Sequence, residues 1–170
     1  DGDMDVLSAS KEDDKIAWYE NDGSESFTEY VISTSADGAH SVHGADVDGD
    51  GDMDVLSASN DWPYAKIAWY ENDGSENFTT HDITDSTSNR IRDVYAADVD
   101  GDGDMDVLSA AQSHPCIVWY ENDGNENFTD HAISNSSYDY GANSVYATDV
   151  DGDGDIDVLS GTGGVLPGGG

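Results

Sequence analysis

A nine-residue acidic phrase, DVDGDGDMD, constrains this chain more than anything else in it. It occupies residues 46–54 and 98–106, returns as DVDGDGDID at 149–157, and its tail, DGDMD, opens the chain at 1–5. Each copy runs into the same apolar triplet, VLS, which begins at Val6, Val55, Val107 and Val158. A glycine-bearing acidic loop therefore feeds a short β-leaning run four times over.

Within the first complete copy, Asp46, Asp48, Asp50 and Asp54 stand at loop positions 1, 3, 5 and 9, with Gly51 at position 6. Alternate residues of a tight loop can turn their carboxylates to one centre, and calcium takes six to eight oxygens in flexible geometry. Position 7, Asp52, is assigned to the same site through its backbone carbonyl, leaving its side chain free. Glycines at 49 and 51 permit the positive φ that such a turn needs. The same reading assigns Asp98, Asp100, Asp102, Asp104 and Asp106 to a second site. Asp149, Asp151, Asp153, Asp155 and Asp157 make a third, and Asp1, Asp3 and Asp5 a partial fourth. The expected cofactor is Ca2+ in three full sites and one partial one. Without an ion, five carboxylates in nine residues repel one another, so metal binding should be coupled to ordering of the loop. Magnesium fits less well, because it demands near-octahedral geometry and keeps its water. An EF-hand is excluded: position 12 is Ser57 rather than glutamate, and VLSAS follows where a helix would be required.

The chain carries 38 acidic residues against 5 basic ones, for a net charge of -33 over 170 residues. Fifteen of those acids lie in the three full loops and three more in the opening remnant. Such a surface repels nucleic-acid phosphates and anionic lipid, so neither is an expected partner. It suits a secreted or cell-surface protein in calcium-rich water. No apolar run approaches the length of a membrane span, so no membrane insertion is expected. Cys116 is the single cysteine. The sequence starts inside a repeat and is read as a piece of a longer chain.

Equivalent loop residues Asp50, Asp102 and Asp153 are 52 and 51 residues apart, a period that signals a repeat architecture. Each period holds four strand signals. SVHGADV from Ser41, DVYAADV from Asp93 and SVYATDV from Ser144 precede the acidic loop, and the VLS runs follow it. KIAWYE comes next, from Lys15 and Lys66, matched by CIVWYE from Cys116. The last is FTEYVI from Phe27, FTTHDI from Phe78 and FTDHAI from Phe128. An NDG turn at Asn21, Asn72 and Asn122 joins the third signal to the fourth, a strong hairpin mark. The expected fold class is all-β: propeller blades of four antiparallel strands, with a calcium loop between the first and second strand of each. Thirteen strands are expected. They make a partial blade at 1–33, full blades at 41–84 and 93–134, and a partial blade at 144–160. A Gly-rich flexible tail is expected over 161–170. Propellers close with four to eight blades, so missing sequence or other chains should complete the ring.

The loops DVDGDGDMD and DVDGDGDID fit the pattern DxDxDGxxD, and WYENDG precedes an FT strand in three units. On these residues the chain resembles the FG-GAP/VCBS repeats, the family that includes the integrin alpha-subunit propeller, and its bacterial members in particular. The resemblance covers nearly all of 1–160. It implies a β-propeller with calcium in the loops between first and second strands. The literal FG and GAP tripeptides are replaced here by runs such as Val94–Ala97.

Alternating strands put the calcium loops and NDG turns on one face of the disc and the remaining connections on the other. The first face is nearly identical in each unit. The second varies: KEDD (11–14), NDWPYA (60–65) and QSHP (112–115) between second and third strands, and 33–40, 84–92 and 134–143 between units. The ligand is expected on this variable face, with Trp62, Tyr64, Arg90, Arg92, His114, Tyr138 and Tyr140 as candidates. Aromatics with amides suit a glycan or a protein ligand at the cell surface. Trp18, Trp69 and Trp119, one per unit at one strand position, read as core. No GxSxG or HExxH occurs, so a binding or adhesion scaffold is expected rather than an enzyme. The alternative is a carbohydrate-binding, lectin-like portion of a polysaccharide-degrading parent.

Overall fold

In the computed structural model the described residues are 2–61, 64–86, 90–134 and 141–162. They form thirteen strands and no helix, so no helix is long and apolar enough to cross a membrane. The strands are β1 (Val6–Ser10), β2 (Lys15–Asn21), β3 (Phe27–Ser33), β4 (Ala39–Ala45), β5 (Asp54–Asp61), β6 (Tyr64–Asn72) and β7 (Phe78–Ser86). They continue with β8 (Ile91–Ala97), β9 (Asp106–Ala111), β10 (Ile117–Asn122), β11 (Phe128–Ser134), β12 (Ala142–Thr148) and β13 (Asp157–Thr162). Each pairs antiparallel with its sequence neighbour to give sheets β1–β3, β4–β7, β8–β11 and β12–β13. These are blades of the kind the period of about 50 residues requires.

The sheets stack in chain order, because their middle strands present apolar groups on both sides. Val55 and Tyr70 pack towards the first sheet, in a cluster with Ile16, Ala36 and Leu7. Their neighbours Leu56 and Trp69 face the other way, into a cluster with Val94, Val107 and Tyr120 of the third sheet. One unit on, Leu108 meets Val145, Ala147 and Val158 of the last sheet. Period-2 alternation thus assigns one side of each sheet to its predecessor and one to its successor. At the two ends of the described stack the same positions are exposed: Val6 and Phe27 on one, Val150 and Leu159 on the other.

Three expectations need correction. The NDWPYA segment is mostly strand: β5 and β6 stay in register from Val55↔Tyr70 out to Asp61↔Tyr64, leaving only residues 62–63 between them. The last strand runs to Thr162, so Gly161 and Thr162 belong to the sheet, not to a tail. The third unit's KIAWYE equivalent begins at Ile117, after a cis peptide bond at His114–Pro115 and a turn in which Ala111 N donates to Cys116 O at 2.8 Å. The remaining tail residues, 163–170, lie outside the described residues.

Candidate metal loops and ligand face

The three acidic loops are built alike. In 46–54, Asp46 caps the turn, accepting Gly49 N on one oxygen at 2.9 Å and Gly51 N on the other at 3.1 Å. Asp48 accepts Asp50 N at 3.1 Å and Asp50 accepts Asp52 N at 2.8 Å, a ladder of Asx turns. Gly49 and Gly51 sit at φ of 77° and 99°. The same bonds recur in 98–106 and 149–157.

Carboxylate oxygens of Asp46, Asp48 and Asp50 lie within 4.8 Å of one another; so do those of Asp98, Asp100 and Asp106, and of Asp149, Asp151 and Asp157. Oxygens around one calcium ion lie no more than about 5 Å apart, twice the coordination distance. The donor set is all hard oxygen, without sulfur or imidazole. These residues fit a calcium ion. Loop positions 1, 3, 5 and 9 all contribute to at least one cluster. Position 7 contributes to none. Its side chain instead lies over the glycine of the NDG turn: a Cβ on Gly74 would collide with the Asp52 carboxylate, and one on Gly124 with Asp104. At the opening remnant Asp1 lies outside the described residues, and no cluster forms among those described there. Asp5 accepts Asn21 N at 2.9 Å and the Trp18 indole N–H at 3.2 Å.

Position 9 has a second role that its place in the motif does not reveal. Asp54 and Asp106 are fully buried. Asp54 accepts Val47 N at 3.0 Å and Asn72 N at 2.8 Å. Asp106 accepts Val99 N at 3.0 Å and Asn122 N at 2.8 Å. Burial raises both carboxyls above the usual range, opposed by those amide bonds. Each therefore ties the acidic loop to the neighbouring hairpin. Asn122 extends the tie across sheets, its Nδ2 donating to Val47 O at 3.3 Å.

On the opposite rim, connections of both kinds meet: Asn60 N donates to Gly38 O at 3.1 Å and Gln112 N to Arg90 O at 2.9 Å. Of the sequence candidates for ligand binding, Arg90, Arg92 and the 112–115 segment come together here, Arg90 N donating to Ser113 Oγ at 3.1 Å. His114 Nδ1 lies 3.5 Å from Cys116 Sγ. Tyr64 stands apart, 61% exposed, in a cleft of about 230 Å³ with Ser35, Asp37, Asp61 and Lys66. Trp62, Tyr138 and Tyr140 lie outside the described residues.

Sequence reasoning passed over the inner strands. His43, Tyr95 and Tyr146, equivalent residues of β4, β8 and β12, meet in succession as tilted rings, with centroids 4.5 and 4.9 Å apart. Asp93 bridges the same three strands, accepting Ser41 Oγ at 2.7 Å and Val145 N at 3.0 Å. The signal was present: Asp93 stands where the other units have Ser41 and Ser144. Of the repeated tryptophans, Trp69 is core; Trp119 is half-buried against the cluster of the last sheet, and Trp18, on the end sheet, is half-buried against Tyr30. Trp69 is buried under His81, whose ring stacks on it at 4.5 Å and whose Nε2 meets Glu71 at 2.7 Å.

Comparison with curated proteins returns no match. Comparison with family models gives three consecutive matches to the FG-GAP-like repeat, over residues 1–57, 46–109 and 101–160. Each match begins in one acidic loop and ends just beyond the next, so successive matches follow the repeat of the stacked sheets. The chain belongs to the FG-GAP-like repeat family.

Proposed function

We propose that this chain is part of a calcium-stabilised extracellular propeller that serves as a binding or adhesion scaffold. The observation that carries the reading is the recurrence of one carboxylate cluster at the same loop in three units. Asp46, Asp48, Asp50 and Asp54 would hold the ion in the first full loop, with their equivalents in the other two. The bound ion would offset the repulsion among five carboxylates and set the corner from which each blade's second strand departs. The variable rim would carry the ligand, because the calcium rim is committed to scaffold in every unit. A secreted or cell-surface location follows from the need for calcium and from the charge of -33. The exposed end faces, Val6 and Phe27 on one side and Val150 and Leu159 on the other, would be covered by further repeats or by other chains.

A second reading, a carbohydrate-binding portion of a polysaccharide-degrading parent, is favoured by the amide and guanidinium groups gathered on the variable rim at Arg92, Gln112 and Asn143. The test of the main reading is calorimetric titration of calcium into chelator-treated protein, with melting recorded in parallel. Saturable uptake with a raised melting temperature is expected; an unchanged melting curve would remove the calcium reading.

A further inference from the structure

The two described lysines that make ion pairs do so with carboxylates: Lys15 with Glu29 and Asp13, Lys66 with Asp82. Arg92 is held differently. Its Nη1 donates to His40 Nε2 at 2.7 Å and its Nη2 to Gln112 Oε1 at 2.8 Å. Both acceptors are neutral. His40 Nδ1 lies 3.0 Å from Arg92 O, which requires the proton on Nδ1 and leaves Nε2 free to accept. Among the described residues no carboxylate comes within 4.0 Å of this guanidinium, in a chain with 38 acids. The adjacent Asp93 has its oxygens taken by Ser41 and Val145.

A guanidinium has five N–H donors. Two are used by His40 and Gln112, and the Nε–H is buried without a partner. One N–H therefore remains on each of Nη1 and Nη2 to meet oxygens of an anion. Gln112 Nε2 passes the network on to the exposed Asn143 Oδ1 at 3.1 Å, which leaves the Asn143 amide N–H groups available. Three residues from Arg92 on the same strand lies Tyr95, whose ring meets the exposed Tyr146 at a tilt of 53°.

We propose that these inner strands form a saccharide site in which Arg92 takes an anionic substituent, a carboxylate or a sulfate. The amides of Gln112 and Asn143 supply hydroxyl contacts and Tyr146 a ring face. This rests on the reading that the variable rim carries the ligand. A sparsely charged sugar fits better than an acidic peptide, because it offers hydroxyls to the amides. The chain's overall charge opposes any anion, but beyond about 8 Å that repulsion is screened at physiological salt, whereas the guanidinium acts at contact.

The experiment is a glycan array in calcium buffer, printed with uronate-bearing, sulfated and neutral oligosaccharides and with acidic peptides. Wild type, Arg92→Gln and Arg92→Lys are compared, each melted in parallel. Binding to uronate or sulfated sugars is expected, falling at least tenfold in Arg92→Gln, consistent with loss of a charge-assisted pair, in a protein that still melts cooperatively. The two sugar classes distinguish carboxylate from sulfate. If Arg92→Gln fails to fold, Arg92→Lys decides: it keeps the charge and loses the guanidinium N–H groups, so weakened binding supports the site and unchanged binding overturns it. Binding to neutral sugars only, to acidic peptides only, or to nothing overturns the proposal, as does equal binding by Arg92→Gln. Neutral-sugar binding that is lost on substituting Asn143 would preserve the variable rim as ligand face while removing the anion site.

Discussion

Asp54 and Asn72 are 18 residues apart, yet the buried carboxylate of the first accepts the backbone N–H of the second at 2.8 Å. With the bond from Val47 N, this makes Asp54 a brace between the acidic loop and the hairpin, whether or not an ion is present. Asp54→Asn keeps the shape but turns an NH2 group towards one of two buried amide donors. A loss of about 2–3 kcal/mol is expected from an unmet buried group, measured by urea denaturation in chelator. Unchanged stability there would refute the brace.

Asp50 is the contrasting case. It is exposed, and the hydrogen bond its side chain accepts, from Asp52 N, is one that an asparagine oxygen also accepts. Asp50→Asn should leave metal-free stability within about 0.5 kcal/mol of wild type. Calcium affinity at that loop should fall, read by calorimetric titration as loss or weakening of one binding event. The two substitutions separate scaffold from ligand within one nine-residue motif.

Filling a loop should stabilise by mass action. With free calcium at 100 times the dissociation constant, each site adds about 2.7 kcal/mol. Melting temperature should therefore climb with the logarithm of calcium concentration and flatten in chelator.

The NDG glycine is constrained twice. Gly74 sits at φ 73°, and a Cβ there would meet the Asp52 carboxylate. Gly74→Ala should cost roughly 1–2 kcal/mol from the left-handed backbone alone. In an Asp52→Ala background the steric part disappears and the penalty should shrink. A double-mutant cycle on denaturation midpoints measures that difference.

His43 supplies the pH dependence. Burial, partly opposed by Asp93, depresses its pKa below the ordinary 6.5. The unfolded chain therefore binds the proton more readily than the folded one, and protonation favours unfolding. Stability should be level above about pH 6.5 and decline as pH falls from there towards the depressed folded value. His43→Phe should flatten that decline in urea midpoints taken between pH 7.5 and 5; a decline as steep as wild type would assign it elsewhere.

The repeats made much of this fold readable. Four near-copies of one acidic loop, and a WYENDG phrase in three, marked strand after strand, because a residue kept in every unit is set by scaffold. The same logic hid what the scaffold does not repeat. The path from His40 through Arg92 and Gln112 to Asn143 joins strands from three sheets, and no local pattern announces it. Hairpin pairing past Asn60 was likewise invisible, since Pro63 in NDWPYA looks like a turn while cross-strand bonding continues to Asp61↔Tyr64. Asp54 was legible as a ligand and illegible as a brace, because its partners are backbone amides that any sequence supplies.

The pairing of a backward-facing valine with a forward-facing leucine at the head of each VLS run carries an evolutionary corollary. A unit of this kind brings both mating surfaces with it. Gene duplication can insert or delete one without altering the chemistry of any surviving junction, so unit number is free to drift while the individual junction stays under selection.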